Sequence, residues 1–494
     1  MELKVKILNW SSGIPVAMLN ESTAKLIGVK TNGRISIKTM TKNPQSVSTI
    51  VDIAKTLVGK NEVAVSTELK ERLSLTKGQK VDIDLSLNPK SLAFIKNKMN
   101  GKRLSQKEIS EIISDITKNS FSDAEIALFI SAMYDEGMNM QETIYLINAI
   151  LNSGQRLKWK GNFVADKHSI GGIPGNRTTP LVVAICAAGG LTMPKSSSRA
   201  ITTAAGTADV IETIARVEFS MKELKKIVEK TGACLIWGGS LEIVPADEKI
   251  ITIEKMLNID PESQLLASIM SKKLALGAKY ILIDIPYGKT AKVDRKKGLE
   301  LKNKFEYLGK YFKKKLRVVL TKGDEPIGNG VGPVLEIFDI LKILKRSENR
   351  AMDLEKKSIF LSGQLFEMTG KAKKGDGEKL AKEILDSGKA LKKFSEIIQA
   401  QGGTVDHLKP ARFKKSMIAK SDGKISEIDN KKINSLARIA GSPLDKAAGL
   451  YLYKHVDEKI KKGEKIITLY SESHSRLKES VKFFHSQKPI KIKH

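Results

Sequence analysis

Through residues 1–86 the apolar positions fall in short, alternating, β-branched runs: Leu3-Lys4-Val5-Lys6-Ile7-Leu8, Arg34-Ile35-Ser36-Ile37, Val63-Ala64-Val65 and Val81-Asp82-Ile83-Asp84-Leu85. A period of two turns one face of each run toward a core, and turn residues such as Thr31-Asn32-Gly33 separate the runs, so a small β-rich domain is expected. From about residue 90 the period becomes helical. Ser105 opens the capped amphipathic stretch SQKEISEIISDI, Ser122 opens SDAEIALFISAMYDEG, and residues 141–151 form a third helix. Their short connections predict a helical domain over residues 88–160, completed by later helices.

Beyond residue 160, strand-like runs alternate with helical ones, most clearly at Tyr280-Ile281-Leu282-Ile283-Asp284-Ile285 and Leu316-Arg317-Val318-Val319-Leu320. This predicts an α/β domain over residues 161–405, a class in which ligands sit at strand ends and helix N-termini. Residues 408–494 mix turns with the strand Lys465-Ile466-Ile467-Thr468-Leu469-Tyr470 and read as an α+β domain. The fold class expected is multidomain α/β, and 494 residues are too many for one ordinary core.

Composition changes that picture little. The start, MELKVKILNW, has no apolar stretch behind its charges, and the longest nearly apolar run, residues 181–193, is too short to span a bilayer. A soluble, cytoplasmic protein is expected. Cys186 and Cys234 lie in apolar segments without His or Cys neighbours, which predicts buried, unreactive thiols. The net charge of +30 attracts anions, but its excess is mostly Lys spread along solvated helix faces, and aromatics are only 5%. Arg forks and stacking platforms are therefore scarce, which argues against nucleic acid as the main ligand.

Candidate chemistry gathers in three segments rich in small and hydroxyl residues: Lys167 to Pro180, with three glycines; Ser196 to Thr203; and Ala205-Gly206-Thr207-Ala208-Asp209, leading into a helix. Small residues let backbone amides approach an anion, and helix N-termini add free N–H groups and a positive dipole end. None has the Walker or GxGxxG spacing. No cluster of carboxylates, His or Cys with ligand spacing accompanies them, so no metal and no cofactor are expected.

In order, KHSIGG, SSRAITTAAGTADVIE and LLASIMSKKLALGA resemble the thymidine/pyrimidine-nucleoside phosphorylase family over about residues 88–485. The resemblance implies a helical domain and an α/β domain with a substrate cleft between them, followed by a C-terminal domain. Two departures are similar to its archaeal AMP phosphorylase branch: about 86 additional N-terminal residues, and Ile253 where thymidine-cleaving members have a pyrimidine-holding Arg. The activity implied is phosphorolysis of AMP, with CMP and UMP as further candidates, to free base and ribose 1,5-bisphosphate, inorganic phosphate being the co-substrate.

Carried over residue by residue, the resemblance implies that Asp260 in Asn258-Ile259-Asp260-Pro261-Glu262 donates a proton to the leaving base. It implies nucleotide or phosphate contacts at Gly172, Ser198, Arg199, Ala200, Ile201, Thr202, Thr203, Thr207, Ser268 and Lys292, and further phosphate or base contacts at Lys167, His168, Ser169 and Lys272. It also implies a homo-oligomer, at least a dimer. By residue chemistry alone Asp260 reads first as a helix N-cap, and His168 equally as a base contact or a packed loop histidine. Phosphorolysis of an unphosphorylated nucleoside, a phosphoribosyltransferase of related fold, and a basic nucleic-acid-binding protein stay open as alternatives.

Overall fold

The computed structural model describes every residue of the chain except Thr202, Glu242, His407 and His494. It divides into two compact units, residues 1–153 with 244–268, and residues 154–243 with 269–494.

In the first unit, strands Glu2–Ile7, Val16–Asn20, Arg34–Thr39, Ser46–Ala54, Glu62–Val65 and Lys80–Leu85 close into a barrel, in the order first, fifth, second, fourth, third, sixth. Leu3, Val5, Ile35, Ile37, Val63, Val65, Val81 and Ile83 fill its core, as the alternation requires. Closure leaves no unpaired edge. Two strands escaped the sequence pattern. Val16–Asn20 is buried on both faces and does not alternate, and Ser46–Ala54 alternates largely with Ser and Thr.

Helices Ser91–Met99, Gln106–Thr117, Asp123–Asp135 and Met140–Asn152 follow, and Pro245–Leu257 joins them from later in the chain. Reciprocal capping boxes start three of them, at Ser105 with Glu108, Ser122 with Glu125 and Asn139 with Glu142. Each satisfies donors that the first turn leaves unpaired. The Arg34 guanidinium, on a barrel strand, pairs with Glu125 and donates to the Ser120 carbonyl at 3.0 Å, fastening barrel to helices.

The second unit is built on parallel strands. Tyr280–Tyr287 lies between Ala165–Ser169 and Lys315–Lys322, and Met193–Ser197 pairs with Ala233–Trp237. A parallel bridge, Val164 to Thr192, connects the two groups. Six consecutive residues of Tyr280–Tyr287 are buried, which is why that run, Asp284 apart, reads as apolar rather than alternating. Thr178–Ala188 is buried along its length in the core of this unit, together with Pro333–Leu344, Met352–Thr369 and Lys389–Ala400. Cys186 and Cys234 are both buried, and burial pushes the Cys186 thiol up to about 12.

The C-terminal segment belongs to this same unit. Gly330–Val331 pairs with Gly449–Leu452, which continues through Lys465–Ser471 to Phe413–Ile418, and a second small sheet carries Gly423–Ile428 between Lys459–Ile460 and Ile490–Lys493. Helices Asn430–Ala440 and His474–Gln487 pack on these strands. Among the described residues no helix is long and apolar enough to cross a membrane.

Candidate active site

Because the strands are parallel, their C-terminal ends open on one side, and each of the three small-residue segments leaves such an end or begins the next helix. Residues 170–177 follow Ala165–Ser169 and lead into Thr178–Ala188. Residues 198–206 follow Met193–Ser197 and lead into Thr207–Ile211. Both helices therefore present their N-termini at the strand ends.

Side chains lock the segments together. The Lys167 ammonium donates to Thr178 Oγ1 at 2.7 Å. Arg177 pairs through Nε with the buried Glu336, and donates from Nη1 to Thr207 Oγ1 at 2.9 Å and from Nη2 to the Ala205 carbonyl at 2.8 Å. One Asp209 oxygen accepts from the backbone N–H of Ala200 at 2.7 Å and of Gly206 at 2.8 Å, drawing the two ends of the Ala200–Gly206 loop together. Two glycines make this closeness possible. A Cβ on Gly206 would sit 2.4 Å from Arg199 C and from Ser198 O, and one on Gly172, at φ +92°, would sit 3.1 Å from Lys292 Cβ.

Of the residues singled out in the sequence, Gly172 and Lys292 are thus neighbours, Lys167 is bonded to Thr178, Thr207 to Arg177, and Arg199 and Ala200 both to Asp209. Ile201 and Thr203 lie in the same loop, and Thr202 lies outside the described residues. Arg199, expected to contact the ligand, also has partners within the protein. Its guanidinium makes two 2.7 Å bonds to Glu212, one of 2.9 Å to Glu218, and stacks 4.7 Å over the Trp237 ring.

Buried charge lies beneath the loops. Asp166 accepts from Lys195 at 3.0 Å and forms an ion pair with Lys273 at 2.7 Å, and although burial opposes its ionisation, these two ammonium groups hold its carboxyl below the usual range. Burial pushes Lys167 down to about 7, with Lys357 and Arg177 adding to the shift and Asp284 opposing it. Burial, then Lys273, Lys195, Lys272 and Lys167, keep His168 neutral, well below the ordinary imidazole value. The Ser169 and Ser197 hydroxyls are buried with no hydrogen-bond partner in the protein. An unpaired buried hydroxyl beside an excess of ammonium groups suits an anionic acceptor.

In the first unit, Asp260 stands on the exposed turn between Pro245–Leu257 and Glu262–Ala275, after Asn258 in left-handed conformation. Ser268 Oγ donates to Asp247 Oδ2 at 3.0 Å, and Gln264 Nε2 to Asp247 Oδ1 at 2.9 Å, so a fully buried carboxylate fixes the Ser268 hydroxyl. Ile253 is buried in the same helix at 4% exposure and serves as core.

Sequence reading missed several of these groups. The sequence offers no signal that separates Ser197 from Ser198; only the strand's end at Ser197 distinguishes them. Asp166, Lys195 and Lys273 come from three separate elements, and Arg177 precedes its helix without a motif. Asp247 had one available signal, a helix start at Pro245 with acidic residues in the first turn. Among the described residues no group of three or more His, Cys, Asp or Glu side chains gathers as a metal site.

Comparison with known proteins places these features in context. Residues 92–154 match the helical bundle domain of a glycosyl transferase family, residues 161–391 its a/b domain, and residues 424–491 the pyrimidine nucleoside phosphorylase C-terminal domain. The chain is 42% identical over 498 residues to an AMP phosphorylase of Thermococcus kodakarensis, covering 100% of this chain and 98% of that one. It is 39% identical over 494 residues to an AMP phosphorylase of Methanococcus vannielii, covering 99% and 97%. Among solved structures, an anthranilate phosphoribosyltransferase from Thermus thermophilus superposes with a TM-score of 0.52 at 18% identity, covering 63% of this chain and 99% of that one. That likeness concerns the fold alone.

Proposed function

We propose, given that the chain belongs to the AMP phosphorylase family, that it cleaves the N-glycosidic bond of AMP with inorganic phosphate and releases adenine and ribose 1,5-bisphosphate. The observation that carries this reading is the similarity to AMP phosphorylases along the whole chain, the N-terminal barrel included. The site's chemistry supports it. Phosphate is itself the nucleophile, so what the protein must supply is a held dianion, an oriented sugar and relief of charge on the departing base.

The loops at the strand ends, with Ser169, Ser197, Lys167, Gly172, Thr207 and Lys292, are the reading's phosphate and nucleotide cradle. A phosphate oxygen bonds to the sugar C1′ as the bond to the base nitrogen breaks, and the electron pair leaves with the base. Asp260 gives that base a proton, and Ser268, set by Asp247, contacts the nucleotide. The reading calls for no cofactor. It further takes the protein to be cytoplasmic and to assemble as a homo-oligomer, at least a dimer.

The test is incubation with AMP, CMP, UMP, adenosine and thymidine, each with and without phosphate, followed by identification of base and sugar product. Phosphate-dependent release of adenine from AMP supports the reading. Cleavage confined to the unphosphorylated nucleosides replaces it with a nucleoside phosphorylase.

A further inference from the structure

The helix Asn430–Ala440 lies in the C-terminal segment, for which the reading above assigns no part in the chemistry. Asn430, Asn434 and Arg438 are spaced four residues apart, so they line one face of it. Together the three reach loops at several strand ends, and two of them share the loop that follows Met193–Ser197. Asn430 Nδ2 donates to Thr290 Oγ1 at 3.0 Å and to the Gly323 carbonyl at 2.9 Å, beyond Tyr280–Tyr287 and Lys315–Lys322. Asn434 Oδ1 accepts from the Ala204 N–H at 2.9 Å, and its Nδ2 lies 3.5 Å from the Gly172 carbonyl. Arg438 Nη2 donates to the carbonyls of Ile201 at 2.9 Å and Thr203 at 3.0 Å.

Packing repeats the connection. Ala204 is fully buried in the apolar cluster of the C-terminal segment, with Ile433, Leu436 and Ala437 of this helix. Besides the bonds to Asp209 and Arg177, loop backbone is therefore held to a rigid element at Ile201, Thr203, Ala204 and Gly172. These loops are rich in small and hydroxyl residues, and an anion cradle displaced by about 1 Å loses much of its effect.

We infer that Asn434 and Arg438 are positioning residues: through loop backbone, they set the shape of the cradle that receives inorganic phosphate. This rests on the reading of the strand-end loops as a phosphate site. Arg438 is exposed and alanine is a good helix former, so Arg438→Ala removes the fork without endangering the helix.

The decisive measurement is inorganic phosphate binding to the full chain by calorimetry, paired with AMP turnover. Arg438→Ala binds phosphate about tenfold more weakly than the parent, because part of the binding energy then goes into ordering the released loop. KM for phosphate rises by the same factor, kcat falls less, and the melting temperature stays within about 2 °C. Arg438→Lys, which keeps a cationic donor for the same carbonyls, restores most of the affinity. Lys431→Ala, on the exposed side of the helix, binds as the parent does. Parent-like affinity in Arg438→Ala, or a loss that Arg438→Lys does not recover, overturns the positioning role. If the parent binds phosphate but cleaves no nucleotide, the proposed reaction fails while the binding comparison still decides this inference. If the parent binds no phosphate, the cradle and the positioning role are overturned together.

Discussion

Arg177 donates from Nη1 to Thr207 Oγ1 at 2.9 Å, so the residue before one helix is tied to the first residue of another. That single bond joins two segments that are thirty positions apart and have in common only an abundance of small residues. It also separates two roles that look alike in the sequence: Thr207 has a partner inside the protein, whereas the buried Ser197 hydroxyl has none.

Ser197→Ala and Thr207→Ala are therefore expected to part company. Losing a hydrogen bond to a charged group costs roughly 1.5–3 kcal/mol, so each variant binds phosphate or nucleotide about ten- to a hundredfold more weakly. Only Thr207→Ala also loses thermal stability, because only there is a bond broken in the unliganded protein. Titration calorimetry beside a melting curve checks both, and wild-type affinity in Ser197→Ala removes that hydroxyl from the cradle.

Gly206→Ala is expected to damage the cradle outright. The added methyl would lie 2.4 Å from backbone atoms of Ser198 and Arg199, a distance that neither can relieve without moving the loop. Overpacking of this kind costs about 1–3 kcal/mol, and the shifted loop should lose phosphate binding. A variant with parent-like melting and parent-like affinity would show that the loop yields freely.

Lys167 gives the pH dependence. Its folded pKa of about 7 lies below the ordinary lysine value, so between the two the unfolded chain binds the extra proton and this group makes stability rise with pH. Below pH 7 the buried ammonium is charged and the contribution is unfavourable. Bound phosphate favours the charged form, so at pH 8 binding takes up a proton. The calorimetric enthalpy should then change with the ionisation enthalpy of the buffer, and less so in Lys167→Met. An enthalpy independent of buffer contradicts the placing of Lys167 beside phosphate.

Asp260→Asn keeps the shape of the side chain and removes the transferable proton. A fall in rate constant of about 10²–10⁴-fold with little change in AMP binding is expected, the range usual for a lost general acid. A nucleotide whose base leaves without protonation should suffer much less. Steady-state kinetics at near the parent rate would return Asp260 to the role of a residue at a helix start.

Much of this architecture was legible in order of chain. Period-two runs marked four of the six barrel strands, capping patterns marked the helices at Ser105 and Ser122, and the apolar runs at 280–285 and 316–320 are strands Tyr280–Tyr287 and Lys315–Lys322. The strands that were missed lack a one-sided apolar face or mix it with hydroxyl residues. At the site, the glycine and hydroxyl segments stood out because their composition is local. The groups beneath them did not, because Asp166, Lys195 and Lys273 acquire meaning only when three elements meet. Asn430, Asn434 and Arg438 form a regular polar stripe, but on a helix that stripe ordinarily faces water, and only tertiary packing buries Asn430 and Asn434.

The central claim is that phosphate, not water, attacks the sugar of AMP. Incubating the protein with AMP and phosphate labelled with heavy oxygen, then weighing the sugar product by mass spectrometry, tests it directly. The account predicts ribose 1,5-bisphosphate carrying the label in one phosphoryl group, in equal amount with adenine. Unlabelled ribose 5-phosphate, formed equally well without phosphate, would make the protein a hydrolase and contradict the account.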